Sequence, residues 1–196
     1  EFKPEEIREF IKCSQFIQAD ALRYSYEANR RRMFACSGSM AWQLNEPWPN
    51  VSNTCIFDYY RQPKMGYFYV KDALEPQKAT LRYDKLVWEP GETFCGQIFM
   101  INESEEENMT VDCTITDEKG NVRFEKTFSG LVPANGVLKM GEISLPLEDM
   151  GSGFVICLKQ NGSACKTEYV MLMEQADLLA RRRFVTAYYD AFMAEK

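Results

Sequence analysis

Hydrophobic and polar positions follow a helical period at both ends of the chain and a period of two in its middle. From Pro4 to about Arg32, apolar or small residues recur at spacings of three and four, which predicts one long helix. Pro4 suits the first turn, and Glu5 and Glu6 complement the positive end of the helix dipole. The predicted helix carries one apolar stripe, formed by Ile7, Phe10, Ile11, Ser14, Ile17, Ala21, Tyr24, Ser25 and Ala28.

A different pattern follows this helix. A short apolar run predicts a buried strand from Met40 to Leu44, which ends at an Asn-Glu-Pro sequence. A loop from Asn50 to Tyr60 and a second helix from Lys64 to Leu74 come next. Helix, strand, loop and helix in succession are typical of an α/β protein, but one strand cannot close a parallel sheet. Residues 1–75 are therefore expected to be part of something larger.

From Ala79 the period changes to two. Seven short strands separated by turn sequences such as Lys119-Gly-Asn121 are typical of an immunoglobulin-like sandwich. The tail from Gln175 to Lys196 returns to helical spacing. Its helix would dock on the sandwich, on the first helix or on another chain, and the sequence does not choose among these. The predicted strands are Leu81 to Trp88, Phe94 to Asn102, Met109 to Asp117, Val122 to Ser129, Gly136 to Leu145, Gly153 to Lys159 and Lys166 to Met173.

Composition excludes several classes of partner. The 196 residues are 45% hydrophobic and 27% charged, as in an ordinary globular protein. No apolar run approaches the ~18 residues that a membrane span needs, and an N-terminus with Glu1, Glu5 and Glu6 is not that of a signal peptide, so no membrane partner is expected. The net charge of -6 argues against a nucleic-acid partner.

The chain also lacks the residues of several catalytic apparatuses. It has no histidine, which excludes a Ser-His-Asp triad and the usual zinc chemistry, and leaves carboxylates, lysine or tyrosine for any catalysis. Its seven cysteines include no C-x-x-C pair, so neither a disulfide framework nor a metal site is predicted. We expect no cofactor, free thiols and a reducing, cytoplasmic location.

Aromatic and amide residues gather where the predicted strand ends. Trp42 and Trp48 offer faces that stack on the C–H surfaces of a sugar, and the amide of Asn45 bonds to hydroxyls in both directions. Composition supports a plain core strand with a tryptophan plug about equally well.

Three segments resemble one family. Cys13-Ser-Gln-Phe-Ile-Gln-Ala-Asp-Ala-Leu-Arg23 resembles an S-Q-x-x-Q-A-E-x-L-R/K helix. Ser37-Gly-Ser-Met-Ala-Trp-Gln-Leu-Asn-Glu-Pro-Trp-Pro49 resembles a G-x-L-x-W-Q-L-N-D-x-W-P strand. Asp58-Tyr-Tyr-Arg-Gln-Pro-Lys64, followed by Tyr67 and Ala73-Leu-Glu-Pro76, resembles a D-Y-Y-G-x-x-K loop and final helix. These are motifs of the β-mannosidase branch of glycoside hydrolase family 2, and they cover about a third of the chain.

The resemblance implies an α+β fragment of three parts. Residues 1–76 would be the incomplete C-terminal end of a (β/α)8 barrel, its last helix–strand–helix. Residues 77–174 would be the immunoglobulin-like β-sandwich, and residues 175–196 a C-terminal helix.

The resemblance also implies a sugar-binding site. Active sites of this barrel lie at the C-terminal ends of the strands. Trp42 would form part of the floor under the terminal sugar, with Asn45 and Trp48 at the rim. Glu46 would be the fourth substrate-binding residue, where the branch more often has Asp, and Arg61 stands where it often has Gly. Both departures leave the substrate preference open.

The family's two catalytic glutamates would both precede residue 1. A retaining glycosidase needs two carboxyl groups ~5–5.5 Å apart, and the chain offers no such pair, so we expect no catalytic residue in it. Glu46, despite its Asn-Glu-Pro context, is not assigned that role. The parent enzyme would hydrolyse terminal β-linked sugars, and this chain alone would be inactive.

Two other functions fit the same sequence. One is a non-catalytic carbohydrate-binding or spacer sandwich module. The other is an interaction domain with the C-terminal helix as an oligomerisation arm. Self-association through that helix is a further expectation. The barrel strand near Met40 has unpaired edges, so residues 36–50 are expected either to rearrange against the sandwich and the C-terminal helix or to associate with another chain.

Overall fold

The computed structural model describes residues 3–50, 54–162 and 166–196, and shows a mixed α/β chain with β-sheets. Two compact units are present, residues 1–75 with 185–196, and residues 76–184. Within the described residues there are three helices and eight strands. In chain order these are α1 (Pro4–Arg30), α2 (Met65–Ala73), β1 (Gln77–Arg82), β2 (Val87–Trp88), β3 (Thr93–Asn102), β4 (Glu107–Asp117), β5 (Val122–Val132), β6 (Gly136–Pro146), β7 (Gly153–Gln160), β8 (Lys166–Met173) and α3 (Leu178–Ala194).

The long first helix of the sequence analysis is confirmed as α1. Its first turn is capped by Glu6, whose Oε2 accepts a hydrogen bond from the backbone N–H of Lys3 at 2.8 Å. Helix α1 ends at Arg30. Just beyond it, backbone N–H groups donate to the carbonyl oxygens three residues earlier, which forms a tighter turn. The second predicted helix is confirmed as α2.

The apolar stripe of α1 lies on the exposed side of the helix. Ile7, Phe10, Ile11 and Ile17 are all exposed. The opposite face is the buried one, and apart from Phe16 and Ala19 it consists of polar, charged or tyrosine side chains: Asp20, Arg23, Tyr26 and Glu27. The hydrophobic period therefore predicted the helix correctly. The side of the helix that is buried, however, is opposite to the apolar stripe.

The buried strand predicted at Met40 to Leu44 is wrong. These residues form no strand, and Met40 and Leu44 are exposed. The physical reason is that a strand needs neighbours to bond its backbone N–H and C=O groups. Among the described residues of the first unit, this segment is paired by an isolated parallel bridge between Asn45 and Phe57, and no strand lies beside it. Residues 51–53 of the predicted Asn50–Tyr60 loop lie outside the described residues.

The last part of α3 belongs to the first unit and packs on its two helices. The Tyr188 ring meets Phe16 of α1 edge-on, and the Phe192 ring meets Tyr69 of α2 in the same way. Lys12 and Asp190 form an ion pair at 2.7 Å. Of the three docking partners left open by the sequence, residues 185–196 thus contact the first helix.

The second unit consists of two sheets around one hydrophobic core. One sheet has the strand order β1-β3-β6, and the other has the order β2-β8-β7-β4-β5. Neighbouring strands are antiparallel, except that β2 runs parallel to β8. Inward side chains of both sheets share the core, among them Phe94, Ile98, Ile115 and Phe154.

The period-two pattern located these strands well, with one correction. The predicted strand Leu81 to Trp88 is in fact two strands, β1 and β2, which lie in different sheets. The polar residues Asp84 and Lys85 interrupt the run where the chain crosses from one sheet to the other. No helix in the described part of the chain is long and apolar enough to cross a membrane.

Candidate functional site

The four predicted substrate-binding residues lie in an irregular segment of the first unit. Trp42 and Trp48 are 84% and 63% exposed, and Asn45 is exposed as well. Glu46 is buried, with 7% of its surface exposed. The peptide bond between Trp42 and Gln43 is cis. Three of the four side chains therefore face solvent, and the fourth points into the protein.

Backbone hydrogen bonds tie this segment to the residues that follow it. The N–H groups of Ile56 and Phe57 donate to the carbonyl oxygens of Gln43 and Leu44 at 3.2 and 2.8 Å. The hydroxyl of Thr54 donates to the Trp42 carbonyl at 2.7 Å. Residues 42–44 and 54–57 thus lie side by side, and these hydrogen bonds hold the backbone of Trp42 and Gln43 in place.

Side chains of helix α1 also form hydrogen bonds to this segment and to the residues that pair with it. The amide of Gln18 donates to the carbonyl oxygens of Thr54 and Cys55 at 2.7 and 3.3 Å. Farther along α1, the amide of Asn29 donates to the hydroxyl of Ser39 at 2.8 Å. These side chains anchor an otherwise irregular segment to a regular element.

Glu46 takes part in a compact cluster with Cys55 and Lys64. The ammonium of Lys64 donates to Glu46 Oε1 at 2.8 Å and to Cys55 Sγ at 3.0 Å. The Cys55 thiol donates to the same carboxylate oxygen at 3.0 Å. With every member part of the network, the buried carboxylate keeps its charge.

The cluster shifts the pKa values of its members in consistent directions. Hydrogen bonds from Cys55 and Lys64 hold the pKa of Glu46 below its ordinary value, against the effect of burial. Burial and the bond to Glu46 raise the pKa of the Cys55 thiol. Burial alone would lower the pKa of Lys64, but its bonds to Glu46 and Cys55 outweigh burial and raise it. At neutral pH the cluster is carboxylate, thiol and ammonium.

A tight turn at residues 58–62 places Lys64 beside Glu46. The N–H of Gln62 donates to Asp58 Oδ1 at 2.8 Å, and Arg61 has a positive φ of 66°. An antiparallel bridge between Phe57 and Pro63 closes the turn, and the Lys64 N–H then donates to the Ile56 carbonyl at 2.9 Å. The turn matters because it reverses the chain and brings residue 64 back to residue 46.

The arrangement suits recognition more than bond cleavage. Exposed tryptophan faces and an exposed amide can stack on and hydrogen-bond to a sugar. Glu46 accepts hydrogen bonds from the Lys64 ammonium, the Cys55 thiol and the Tyr59 backbone, so its described partners are donors and not a second carboxyl group. Among residues 3–50, 54–162 and 166–196 no group of three or more potential ligands is placed to hold a metal ion.

Sequence reasoning had not assigned a role to Cys55 or Lys64. Lys64 had a signal, because it ends the Asp58–Lys64 motif quoted above. Cys55 had none, because its contact with Glu46 depends on the pairing of residues 43–45 with residues 56–57. Of the seven cysteines, six are free thiols in the structure, and Cys165 lies outside the described residues.

The chain is similar to part of several curated proteins. It is 34% identical over 80 residues to β-mannosidase B of Thermothelomyces thermophilus, a match covering 38% of this chain and 9% of that protein. It is 31% identical over 86 residues to β-mannosidase B of Aspergillus niger, covering 42% of this chain and 10% of that protein. The matched region is thus about a tenth of these relatives. No family model matches the chain.

Solved structures are similar over most of the chain. The crystal structure of β-D-mannosidase from Dictyoglomus thermophilum matches with a TM-score of 0.65 and 28% identity, over 87% of this chain and 20% of that one. The exo-chitosanase CsxA of Amycolatopsis orientalis, in complex with PNP-β-D-glucosamine, matches with a TM-score of 0.66 and 20% identity, over 88% and 20%. The second likeness shows the fold alone.

Proposed function

We propose that the chain is the β-mannosidase-like C-terminal portion of a glycoside hydrolase of family 2, and that it belongs to a retaining exo-β-glycosidase. The observation that carries the proposal is the match to the Dictyoglomus β-D-mannosidase over 87% of this chain. The parent enzyme hydrolyses terminal β-linked sugars, with a β-mannoside as the first candidate substrate.

The same proposal assigns the parts of the chain. Residues 1–76 are the end of the (β/α)8 barrel, residues 77–174 an immunoglobulin-like sandwich and residues 175–196 a C-terminal helix. The strand orders β1-β3-β6 and β2-β8-β7-β4-β5 support the second assignment, because Greek-key sandwiches pair strands that are distant in sequence. Free thiols support a reducing, cytoplasmic location.

Trp42, Asn45 and Trp48 are the side chains that contact the sugar in this proposal. Their exposure on the first unit supports this role, since each presents a stacking face or an amide to solvent. Glu46 completes the site by holding the Asn45–Trp48 backbone through its ion pair with Lys64. The two catalytic glutamates belong to the portion of the parent that precedes residue 1, and no cofactor takes part.

Hydrolysis of p-nitrophenyl β-D-mannoside tests the proposal. The assay compares this chain with the full-length product of its gene. We expect activity in the full-length product only, and a fall of at least about tenfold in its kcat/KM on Trp42→Ala, because an aromatic platform is lost. Tyr60→Ala, which removes another exposed ring from the same unit, is the control. Activity in this chain alone would overturn the assignment of the glutamates.

Inactivity of both proteins would favour the non-catalytic sandwich module. In that case binding of mannosides to this chain, measured by calorimetry, would be insensitive to Trp42→Ala. The observation that supports the sandwich module as an alternative is that the second unit is compact and has its own hydrophobic core.

A further inference from the structure

Cys55 is a fully buried nucleophile, and the proposed function gives its thiol no role. Its sulfur contacts two charged groups at once. Lys64 Nζ donates to Cys55 Sγ at 3.0 Å, and the thiol donates to Glu46 Oε1 at 3.0 Å. The ammonium and the carboxylate are themselves 2.8 Å apart. A nucleophilic sulfur, an amine and a proton acceptor therefore lie in mutual contact.

The backbone holds Cys55 and Lys64 on neighbouring stretches of the chain. The N–H of Lys64 donates to the carbonyl oxygen of Ile56 at 2.9 Å, and the amide of Gln18 donates to the carbonyl oxygen of Cys55 at 3.3 Å. The contact of 3.0 Å between Sγ and Nζ thus joins two side chains whose backbones are tied in place. Reacting atoms about 3–3.5 Å apart can form a bond without a rearrangement of the chain around them.

A cysteine and a lysine in contact become linked when the sulfur is oxidised. Peroxide converts a cysteine to a sulfenic acid, and a sulfenic acid condenses with a neighbouring nitrogen to a sulfenamide. Thiols reduce the S–N bond again, so the modification is reversible. Here the nitrogen of Lys64 is already beside the sulfur before any oxidation.

We propose that Cys55 and Lys64 form a modification site, at which hydrogen peroxide links Sγ to Nζ through a reversible S–N bond. This inference goes beyond the proposed function and does not depend on it, because it concerns the chemistry of this chain alone. The Lys64 side chain is 15% exposed, which gives access to a molecule little larger than water. The burial of Cys55 keeps out larger thiols such as glutathione.

The linking reaction proceeds in two balanced steps. In the first, Cys55 Sγ attacks one peroxide oxygen, an S–O bond forms, the O–O bond breaks, and the other oxygen leaves as water with the thiol proton. In the second, Lys64 gives one proton to Glu46 and its nitrogen attacks the sulfur. An S–N bond forms, the S–O bond breaks, and the hydroxide leaves as water with a second nitrogen proton. Sulfur loses the electron pair that peroxide gains, and Glu46 releases its proton to solvent.

Peptide mapping of this chain tests the S–N bond. The reduced chain is incubated with excess hydrogen peroxide at pH about 8.5, because burial raises the pKa of the Cys55 thiol and the thiolate is the nucleophile. Free thiols are then blocked with iodoacetamide, and the chain is digested with trypsin and analysed by mass spectrometry without reductant. Trypsin does not cleave after a linked lysine. We therefore expect residues 62–71 as one peptide joined to residues 33–61, with the summed mass of the two less two hydrogen atoms. Dithiothreitol should separate them.

Lys64→Arg is the matched control. Its guanidinium keeps the positive charge beside Glu46 but supplies no free amine, so Cys55 should gain oxygen instead of joining another peptide. The unsubstituted chain unfolded in urea before the peroxide is added is a second control that needs no variant, and it should give no joined peptide. Equal linking in urea, or a Cys55 found in the folded chain only as a blocked thiol or an oxygen acid, would overturn the proposal.

The link also changes the charge around Glu46. Lys64 becomes an uncharged nitrogen, so the buried carboxylate loses its ion-pair partner beside the candidate sugar contacts. In the full-length product, peroxide should lower kcat/KM for p-nitrophenyl β-D-mannoside by about threefold or more, because small displacements of binding groups are costly. Dithiothreitol should restore it, and Cys55→Ser should keep its own starting value in peroxide.

This activity measurement rests on the proposed function, and the two can fail separately. A full-length product that cleaves no β-glycoside contradicts the proposed function, while the joined peptide still decides whether the S–N bond forms. An active product whose kcat/KM is unchanged although the joined peptide is present would overturn the effect of the link on the candidate site.

Discussion

Glu46 and Lys64 form a buried ion pair whose value depends on both partners being present. Their side chains are 6% and 15% exposed, and the charged atoms are 2.8 Å apart. Removing one partner of such a pair leaves a buried charge with no compensation, which costs far more than the pair itself contributes.

Lys64→Met should therefore destabilise this chain by about 3–5 kcal/mol. Urea denaturation followed by circular dichroism measures the change in the free energy of unfolding. The control is Lys12→Met, which breaks the more exposed pair with Asp190 and should cost no more than about 1 kcal/mol. Equal losses from the two variants would mean that the Glu46 carboxylate is hydrated in solution.

The same pair predicts a defined dependence of stability on pH. The lowered pKa of Glu46 means that its contribution is complete above its ordinary value of 4.5 and is lost as the pH falls through the lowered one. The raised pKa of Lys64 means that its contribution is complete below 10.5 and is lost as the pH rises through the raised value.

Glu46→Gln isolates this effect from those of the other carboxyl groups. The difference in unfolding free energy between the unsubstituted chain and Glu46→Gln should be largest between these two limits and shrink on acidification, since a protonated Glu46 resembles glutamine. Urea titrations from acid to neutral pH measure it. A difference that stays constant with pH would show that the pair does not form.

Within the sandwich, β7 meets β8 so closely at one point that only glycine fits. A Cβ atom on Gly153 would lie 2.4 Å from the carbonyl oxygen of Met171 and 2.4 Å from the Phe184 ring. One of these contacts is with backbone, which cannot move without separating the two strands.

Gly153→Ala should accordingly destabilise this chain by about 1–3 kcal/mol. Gly38→Ala is the matched control, because a Cβ there would meet no atom within 4 Å, and it should change stability by less than about 1 kcal/mol. Chemical denaturation of both variants measures the difference. An unchanged stability for Gly153→Ala would mean that β7 and β8 are less tightly paired than the structure shows.

These elements also show what the sequence does and does not determine. Strands such as β3 and β4 were predictable because alternation assigns each residue to one face of a sheet, whatever the partner strand. A strand at Met40 to Leu44 needs neighbouring strands, and the described residues of the first unit contain none, so its apolar run alone could not decide its structure. The same dependence explains α1: its period fixed the helix, but which face is covered depends on what surrounds it.

The candidate site was predictable in its exposed half only. Trp42, Asn45 and Trp48 stood out because aromatic and amide side chains have a recognisable chemistry for sugars. The contact of Glu46 with Cys55 spans nine residues and accompanies the pairing of residues 43–45 with 56–57, whereas Lys64 reaches both through the turn at Arg61, and no local pattern reports such pairings.

The two compact units differ in how completely they bury their apolar residues. The second unit joins both sheets in one core that includes Phe94, Ile115 and Phe154. In the first unit a smaller cluster holds Tyr26, Val70 and Ala73, while the large apolar side chains of α1 from Ile7 to Ile17 are exposed. Local opening is easiest where few apolar contacts are lost, so backbone protection should differ between the units.

Hydrogen exchange at neutral pH measures that difference peptide by peptide. In this chain the amides of β4 and β7, which lie inside the five-stranded sheet, should exchange most slowly, and those of α1 faster by about tenfold or more. In the full-length product the α1 amides should exchange more slowly, because the proposed barrel would pack on the helix, whereas those of β4 should not change. Unchanged exchange in α1 would mean that its apolar side chains stay exposed there as well, which would contradict the proposed assignment of residues 1–76 to a barrel.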